Sequence, residues 1–402
     1  MPNLCKKIIV IHYGEIALKG RNRIFFENKL KTNIKKALHK VNIKEIERLR
    51  GRLVINLAEA GQEKLATEGL QNVFGISHFS FGTAVEKDIE AIKETAWSLL
   101  ENKSFDSFKI ETRRAQKDFP INSMEVNKQV GAFVQKNCGK KVDLSEPEIA
   151  CYIEITERAA LLYTDKIPGL RGLPVGVSEK AVCLLSSGID SPVASYMMLK
   201  RGVNLIYAHF HSQPFTSKAS QENTNRLVQI LNRYQFHCKA YFIPFIDIQK
   251  EIMAKAPSEL RVLLYRRYMI RLADRIAQSE KAVALVTGEN VGQVASQTLS
   301  NIRVVAEVTD LPILRPLAGF DKEEIIQQAK KIGTFEVSIE PYEDCCTLFV
   351  PENPATRANP QMLTNAEKLL DVSRLMEQAL EHAEIVTFDG SRTRQSSRPI
   401  PI

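Results

Sequence analysis

The run Leu184-Leu185-Ser186-Ser187-Gly188-Ile189-Asp190-Ser191-Pro192 has the composition of an anion-binding turn. An apolar strand stops abruptly, small residues follow, and a helix begins with Pro192 at its first position, where the missing N–H is no loss. Such a loop can aim backbone N–H groups and hydroxyls at an anion, and the helix N-terminus adds partial positive charge. Pyrophosphate is the natural guest. An ordinary strand-to-helix turn uses the same residue types, so the loop alone leaves both readings open. Two other nucleotide loops are excluded. No Gly-Lys-Ser/Thr occurs, and the cluster Gly169-Leu-Arg-Gly172-Leu-Pro-Val-Gly176 lacks GxGxxG spacing after a strand.

Cysteine supplies the second chemical candidate. The chain has 7 cysteines, an odd number without CxxC spacing, which argues against a disulfide framework and a zinc ribbon. Cys345-Cys346 stands apart: it follows Pro341, precedes Pro351 and Pro354, and adjoins Glu343 and Asp344. Acidic neighbours disfavour burial and also raise a thiol's pKa unless a cation intervenes.

Parallel strands must position the turn. From Ala181 onward strands and helices alternate strictly. The strands are expected at 181–185, 204–209, 238–244 and 282–287, the helices at 192–201, 220–234, 261–279 and 322–331. Asp321 to Glu324 forms a capping box for the last helix and Gly333 its stop. This pattern predicts a doubly wound parallel sheet with its ligand beyond the carboxyl ends of the strands. Upstream, a strand at 7–13, a basic helix at 23–40 with Phe25, Phe26, Leu30, Ile34 and Leu38 at helical spacing, and a strand at 51–57 come first. Helices at 63–73, 88–100 and 125–138, strands at 78–83 and 108–113, and a hairpin at 152–164 complete an α+β region. The glycines from Gly169 to Gly176 mark a boundary.

At 402 residues the chain is long enough for two or three domains. No apolar run approaches a membrane span and no secretory signal opens the chain, so a cytoplasmic protein is expected. The formal charge of +8 is uneven: residues 1–52 hold 14 Lys and Arg against 4 Asp and Glu, leaving the remainder at −2. A local +10 attracts a polyanion, although a solvated helix face would also tolerate it.

Ser186-Ser187-Gly188-Ile189-Asp190-Ser191 resembles the PP-loop, SGGxDS, of ATP pyrophosphatases, with Ser187 in place of the first glycine. A serine there would be strained if its φ had to be positive. Longer strings narrow the resemblance. His209 to Ser217, Thr287 to Thr298, Pro341 to Cys346, His12-Tyr13-Gly14-Glu15 and Leu18 to Arg23 are similar to the tRNA uridine 4-sulfurtransferase (4-thiouridine synthetase) family, over nearly the whole chain.

The resemblance implies a ferredoxin-like domain at 1–60, a THUMP RNA-binding domain at 61–168, a PP-loop domain at 174–390 and a loose tail at 391–402. It implies ATP contacts from Leu184, Leu185, Ser186, Ser187, Gly188, Asp190, Ser191, His209, Phe210, Arg266, Gly288 and Gln297. Alternatives stand beside some of these: packing for His209, and Arg267 as the functional neighbour of Arg266. Asp190 would act through Mg²⁺ or by orienting loop amides. tRNA contacts fall on Lys19, Arg21, Arg23, Arg113, Arg114 and Lys117, where Arg113 and Arg114 would equally serve as surface ion pairs. No protein-held metal centre is expected.

Uracil's 4-oxygen is a poor leaving group. Adenylation by ATP makes it leave as AMP, after which a sulfur nucleophile takes its place. Cys345 is implied as the persulfide carrier and Cys346 as an accessory. Some members add a rhodanese domain. With about 50 residues after Cys346 none is expected here, so a cysteine desulfurase would load Cys345 directly and a thiamine-precursor role is not expected. A homodimer is a family expectation. Two other readings are an amide-forming ligase acting on a small molecule and a non-catalytic tRNA-binding protein.

Overall fold

The computed structural model describes residues 6–59, 61–115, 119–341, 349, 351, 353–390 and 392–396. The chain folds as two compact units, Met1–Pro174 and Val175–Ile402.

The first unit is built on one continuous sheet. Its strands are β1 (Lys6–Tyr13), β2 (Ile43–Leu49), β3 (Arg52–Leu57), β4 (Ile76–Val85), β5 (Ser107–Arg114), β6 (Lys141–Val142), β7 (Ile149–Ile155), β8 (Ala160–Tyr163) and β9 (Ile167–Pro168). They run in the order β2-β3-β1-β4-β8-β7-β5-β6, with β9 also on β4. Because β4 pairs with both β1 and β8, it joins the two halves of the unit. Four helices accompany the sheet: α1 (Arg23–Ala37), α2 (Glu63–Leu70), α3 (Ile89–Leu100) and α4 (Ser123–Cys138). Ile92, Ala96 and Leu100 of α3 and Val126, Val130 and Val134 of α4 close a core over Phe108, Ile110 and Ile153. Asp88 and Asn122 cap these two helices through side-chain oxygens.

Two expectations for this unit change. Phe25 is exposed, whereas Leu30, Ile34 and, just past the helix end, Leu38 of the expected stripe are buried. Strand β2 was not foreseen: its alternating charges (Lys44, Glu45, Glu47, Arg48) hide a strand whose partner β3 supplies nearly all the apolar surface.

The second unit is a seven-stranded sheet. Its elements, in chain order, are β10 (Lys180–Leu184), α5 (Asp190–Lys200), β11 (Asn204–His211), α6 (Ala219–Gln235), β12 (His237–Pro244), α7 (Ile246–Lys255), α8 (Arg261–Glu280), β13 (Ala284–Val286), α9 (Leu299–Ala306), β14 (Ile313–Leu314), α10 (Lys322–Ile332), α11 (Phe335–Ser338), α12 (Pro360–Glu367), α13 (Val372–Glu381), β15 (Glu384–Asp389) and β16 (Arg392–Ser396). The order is β14-β13-β10-β11-β12-β15-β16, and the first five strands are parallel. After β10 the chain fills one side of that strand with β11 and β12, then crosses to place β13 on the other. The reversal opens a crevice at the carboxyl ends of β10 and β13.

The expected sheet needs correction at one edge. Strands β15 and β16 form an antiparallel hairpin on β12, so the sheet is mixed and the alternation is not strict. Residues 392–396 are therefore a strand and not part of a loose tail. The capping box of α10 is present, with Gly333 left-handed as its stop at φ 77°. Helix α5 begins at Asp190, which places Pro192 third instead of first. It remains within the first turn, where N–H groups lack intrahelical partners.

Arg267 explains how α12 is held. It forms a bidentate pair with Glu367 at 2.8 and 2.9 Å and donates to the carbonyl of Val304, while Arg271 grips the same carboxylate. All three side chains are largely buried. Glu367→Gln should therefore cost about 3 kcal/mol, because it strands two sheltered guanidiniums without a countercharge. Urea unfolding of the variant checks this, and an unchanged midpoint would make the cluster ornamental.

Candidate active site: a phosphate loop at the sheet's switch point

The loop after β10 is closed on itself by hydroxyls. Ser191 Oγ accepts from the amide of Ser186 at 2.9 Å and returns a bond to its carbonyl at 3.1 Å. The amide of Gly188 donates to Ser186 Oγ. Ser187 lies outside the left-handed region, so the feared strain is absent. Its side chain turns inward, where Oγ donates to the carbonyl of Ser220 at 2.9 Å and meets Thr224 Oγ1. This hydroxyl moors the loop to α6 and is not offered to an anion.

His209 performs a similar task at the end of β11. It is fully buried, with Nδ1 2.9 Å from the carbonyl of Leu185 and Nε2 3.3 Å from Ser220 Oγ. Burial pushes its pKa down to about 4, only partly opposed by the bond to Leu185. The imidazole is thus neutral, with Nδ1–H donating to Leu185 and Nε2 accepting. It ties two strand ends together as a positioning residue.

Gly288 follows β13 and touches the first turn of α5. A Cβ there would lie 2.8 Å from the amide nitrogen and 2.9 Å from Cα of Ser191. Backbone cannot yield as a flexible side chain does. The crevice between β10 and β13 therefore closes at its base only because residue 288 has no side chain.

One cleft brings these groups together. It is lined by Leu184, Leu185, Ser186, Ser187, Asp190 and Ser191 on one side, by His209 and Phe210 beyond, and by Arg266, Gly288 and Gln297 opposite. Met269, Ile270 and Val305 add apolar surface. Gly188 belongs to the same loop but does not line the cleft. Arg266 pairs with Glu289 at 2.6 Å, and Arg315 reaches the other oxygen at 2.7 Å. Arg266 faces the cleft while Arg267 serves the fold. Gln297 is buried with Oε1 unpartnered, an acceptor able to take an exocyclic amine.

Lys322 was missed by the sequence reading. Its Nζ lies 2.7 Å from Asp190 Oδ1, and Gln293 donates to Oδ2 at 3.2 Å. A lysine opening a helix opposes the macrodipole, and that broken local rule was the available signal. Among the described residues no three His, Cys, Asp or Glu side chains converge as a metal centre, and no helix is long and apolar enough to cross a membrane.

The proposed RNA contacts are scattered over the first unit. Lys19 lies over the ring of Phe26, Arg21 is exposed, and Arg23 donates to the carbonyl of Ala17. Arg113 is exposed beside Glu111, whereas Arg114 is committed to the carbonyls of Phe119 and Ile121. Lys117 and Cys345, with Cys346, lie outside the described residues. On the same unit, His12 pairs with Glu154 at 2.9 Å, and Arg52 and Tyr163 hold that carboxylate too.

Fold and cleft together define a phosphate-loop α/β unit that follows an α+β unit in the chain. Comparison with known proteins agrees. Residues 8–80 match the model of the ThiI ferredoxin-like domain, 86–165 the THUMP domain, and 176–372 the thiamine biosynthesis protein ThiI. A probable tRNA sulfurtransferase of Caldanaerobacter subterraneus subsp. tengcongensis is 44% identical over 92% of this chain and 97% of its own length. One from Thermus thermophilus is 40% identical over 95% and 94%. A solved 4-thiouridine synthetase, in complex with RNA and with bound ATP, is 37% identical with a TM-score of 0.87, covering 95% of this chain and all of that one. The chain belongs to the tRNA sulfurtransferase family.

Two outcomes follow from the geometry. Gly288→Ala should destabilise the second unit by about 1–3 kcal/mol through overpacking and weaken ATP binding, as calorimetry would report. Wild-type affinity in that variant would show that the strand end has room to move. The second concerns acid. The folded imidazole of His209 binds fewer protons than its unfolded form between pH 6.5 and about 4, as does that of His211. Stability is then complete above pH 6.5 and declines as pH falls toward 4. His209→Gln should flatten that decline in a pH series of melting temperatures; an equally steep series would assign the loss elsewhere.

Proposed function

We propose that this protein makes 4-thiouridine in tRNA at the expense of ATP. The observation that carries the reading is the phosphate loop, which meets the glycine-ended strand β13 at the switch point of the sheet. The triphosphate lies against Ser186 to Ser191 with adenine toward Met269, Ile270 and Gln297. The uracil 4-oxygen attacks the α-phosphorus and pyrophosphate leaves. Loop amides, the first turn of α5, Lys322 and Arg266 stabilise the charge that develops. Asp190 keeps Lys322 at the mouth of the loop. Their pair is half exposed, so little is lost when the lysine turns to a phosphate. Mg²⁺ would enter with the nucleotide, where Asp190 is the loop carboxylate that would hold it, and it would supply positive charge against the charge developing on the phosphates.

The outer sulfur of a Cys345 persulfide then attacks C4, and AMP departs carrying the former 4-oxygen. A thiol reductant cleaves the S–S bond, leaving sulfur on the base and a mixed disulfide that a second thiol clears. Cys346 is accessory, and a cysteine desulfurase supplies the sulfur. The first unit holds tRNA through its basic turns, with a ferredoxin-like part matched over 8–80 and a THUMP part matched over 86–165 before the catalytic part. A cytoplasmic homodimer completes the reading.

Mass analysis of tRNA nucleosides after incubation with ATP, Mg²⁺, cysteine, a cysteine desulfurase and a thiol reductant tests the reaction; no 4-thiouridine from wild type would end it. Cys345→Ser should abolish persulfide-dependent thiolation while pyrophosphate release persists. Asp190→Ala should stop pyrophosphate release with tRNA affinity retained. Full thiolation by Cys345→Ser would remove that thiol from the mechanism.

A further inference from the structure

The segment 322–340 touches the phosphate loop at both of its ends. At its start, Lys322 pairs with Asp190. Near its finish, Ser338 Oγ donates to the carbonyl of Gly188 at 3.3 Å. The two anchor points on the loop are two residues apart, although the anchoring side chains come from different helices. Between them Gly333 reverses the chain in a left-handed conformation. Thr334, fully buried, then returns its amide to Ala329 and accepts from the amide of Ser338 at 3.0 Å. Helix α10 packs on α5, and α11 packs on α6, which also holds Ser187. The segment is a rigid brace.

Peptide geometry gives the brace a consequence. A trans peptide is planar, and its C=O and N–H point in opposite directions. Fixing the Gly188 carbonyl on Ser338 therefore fixes the amide of Ile189 facing away from Ser338. Ile189 is the N-cap of α5. The amides that open a helix have no intrahelical partners and are the groups an anion takes. Ser338 is itself 5% exposed, so water cannot easily substitute for its hydroxyl.

We propose that Ser338 is a positioning residue for pyrophosphate: it sets the Gly188–Ile189 peptide so that the loop meets the nucleotide preformed. This rests on the reading above, in which the loop receives ATP, and adds a residue that never touches the ligand. Without the hydroxyl the peptide can rotate, and ordering it must be repeated at each binding event.

The test is calorimetric titration of the full-length protein with MgATP, using wild type, Ser338→Ala and Ser338→Thr. Ser338→Ala should bind about tenfold more weakly, the scale of one orienting hydrogen bond. Its melting temperature and its KM for tRNA should stay at wild-type values, and Ser338→Thr should recover most of the affinity. Equal affinity of Ser338→Ala and wild type would overturn the assignment. So would a parallel loss in both variants with lowered melting temperatures, since packing alone would then be at issue. Failure of wild type to bind MgATP would instead remove the nucleotide reading, and the role of Ser338 with it.

Discussion

Everything in the second unit depends on how closely β13 can approach the first turn of α5. With a side chain at position 288 the two backbones could not meet, and a Cβ would lie 2.8 Å from the Ser191 amide nitrogen. Their contact converts an open sheet edge into a cleft with a closed base. Backbone amides on one wall then face Arg266 and Gln297 on the other. A phosphate chain and a base can be held together only if these walls keep a fixed separation, and contact between backbones is the stiffest spacer a protein has.

Around that contact the loop is stabilised by neutral hydrogen bonds more than by charge. Ser187, Ser191, Ser220 and His209 form a buried network of hydroxyls, carbonyls and one uncharged imidazole. Each bond is worth about 1 kcal/mol net, yet breaking one leaves a buried group unpaired at a larger cost. Such a network fixes geometry without adding charge that a polyanion would have to displace. Of the charged pairs, Lys322 with Asp190 is half exposed, where solvent lets it exchange, whereas Arg266 and Arg315 are largely buried on Glu289.

The sequence made the parallel strands legible because an α/β fold repeats its signals. Buried strands are apolar runs, and helices such as α9, α10, α12 and α13 carry side-chain caps. The capping box at Asp321 and the glycine stop at Gly333 are local, and local features can be read from neighbours alone. Ser187 could not be read in this way. Its type suggested a defect in a glycine position, whereas it moors the loop to α6, which begins about thirty residues later in the chain. Lys322 and Ser338 were hidden for the same reason, since their partners lie 132 and 150 residues away. The antiparallel edge formed by β15 and β16 escaped notice because Arg392–Ser396 is polar, which is how edge strands avoid further pairing.

The charge balance in the cleft completes the physical picture. Arg266 and Arg315 share the single carboxylate of Glu289, and Lys322 is matched by Asp190. His209 adds nothing, being held neutral by burial. Among the described residues three cations therefore face two carboxylates, a small excess beside a triphosphate. A site that bound pyrophosphate mainly through fixed charge would hold the product as tightly as the substrate. On the proposed reading the first-turn amides of α5 add attraction without charge, and hydrogen bonds weaken steeply with angle and distance. On that reading, once the bond to the α-phosphorus breaks, the departing pyrophosphate would shift and lose that alignment. Release then requires no change in the charge of the protein. A half-exposed lysine suits the proposed cycle better than a buried one, because it would follow the phosphate out and return to Asp190.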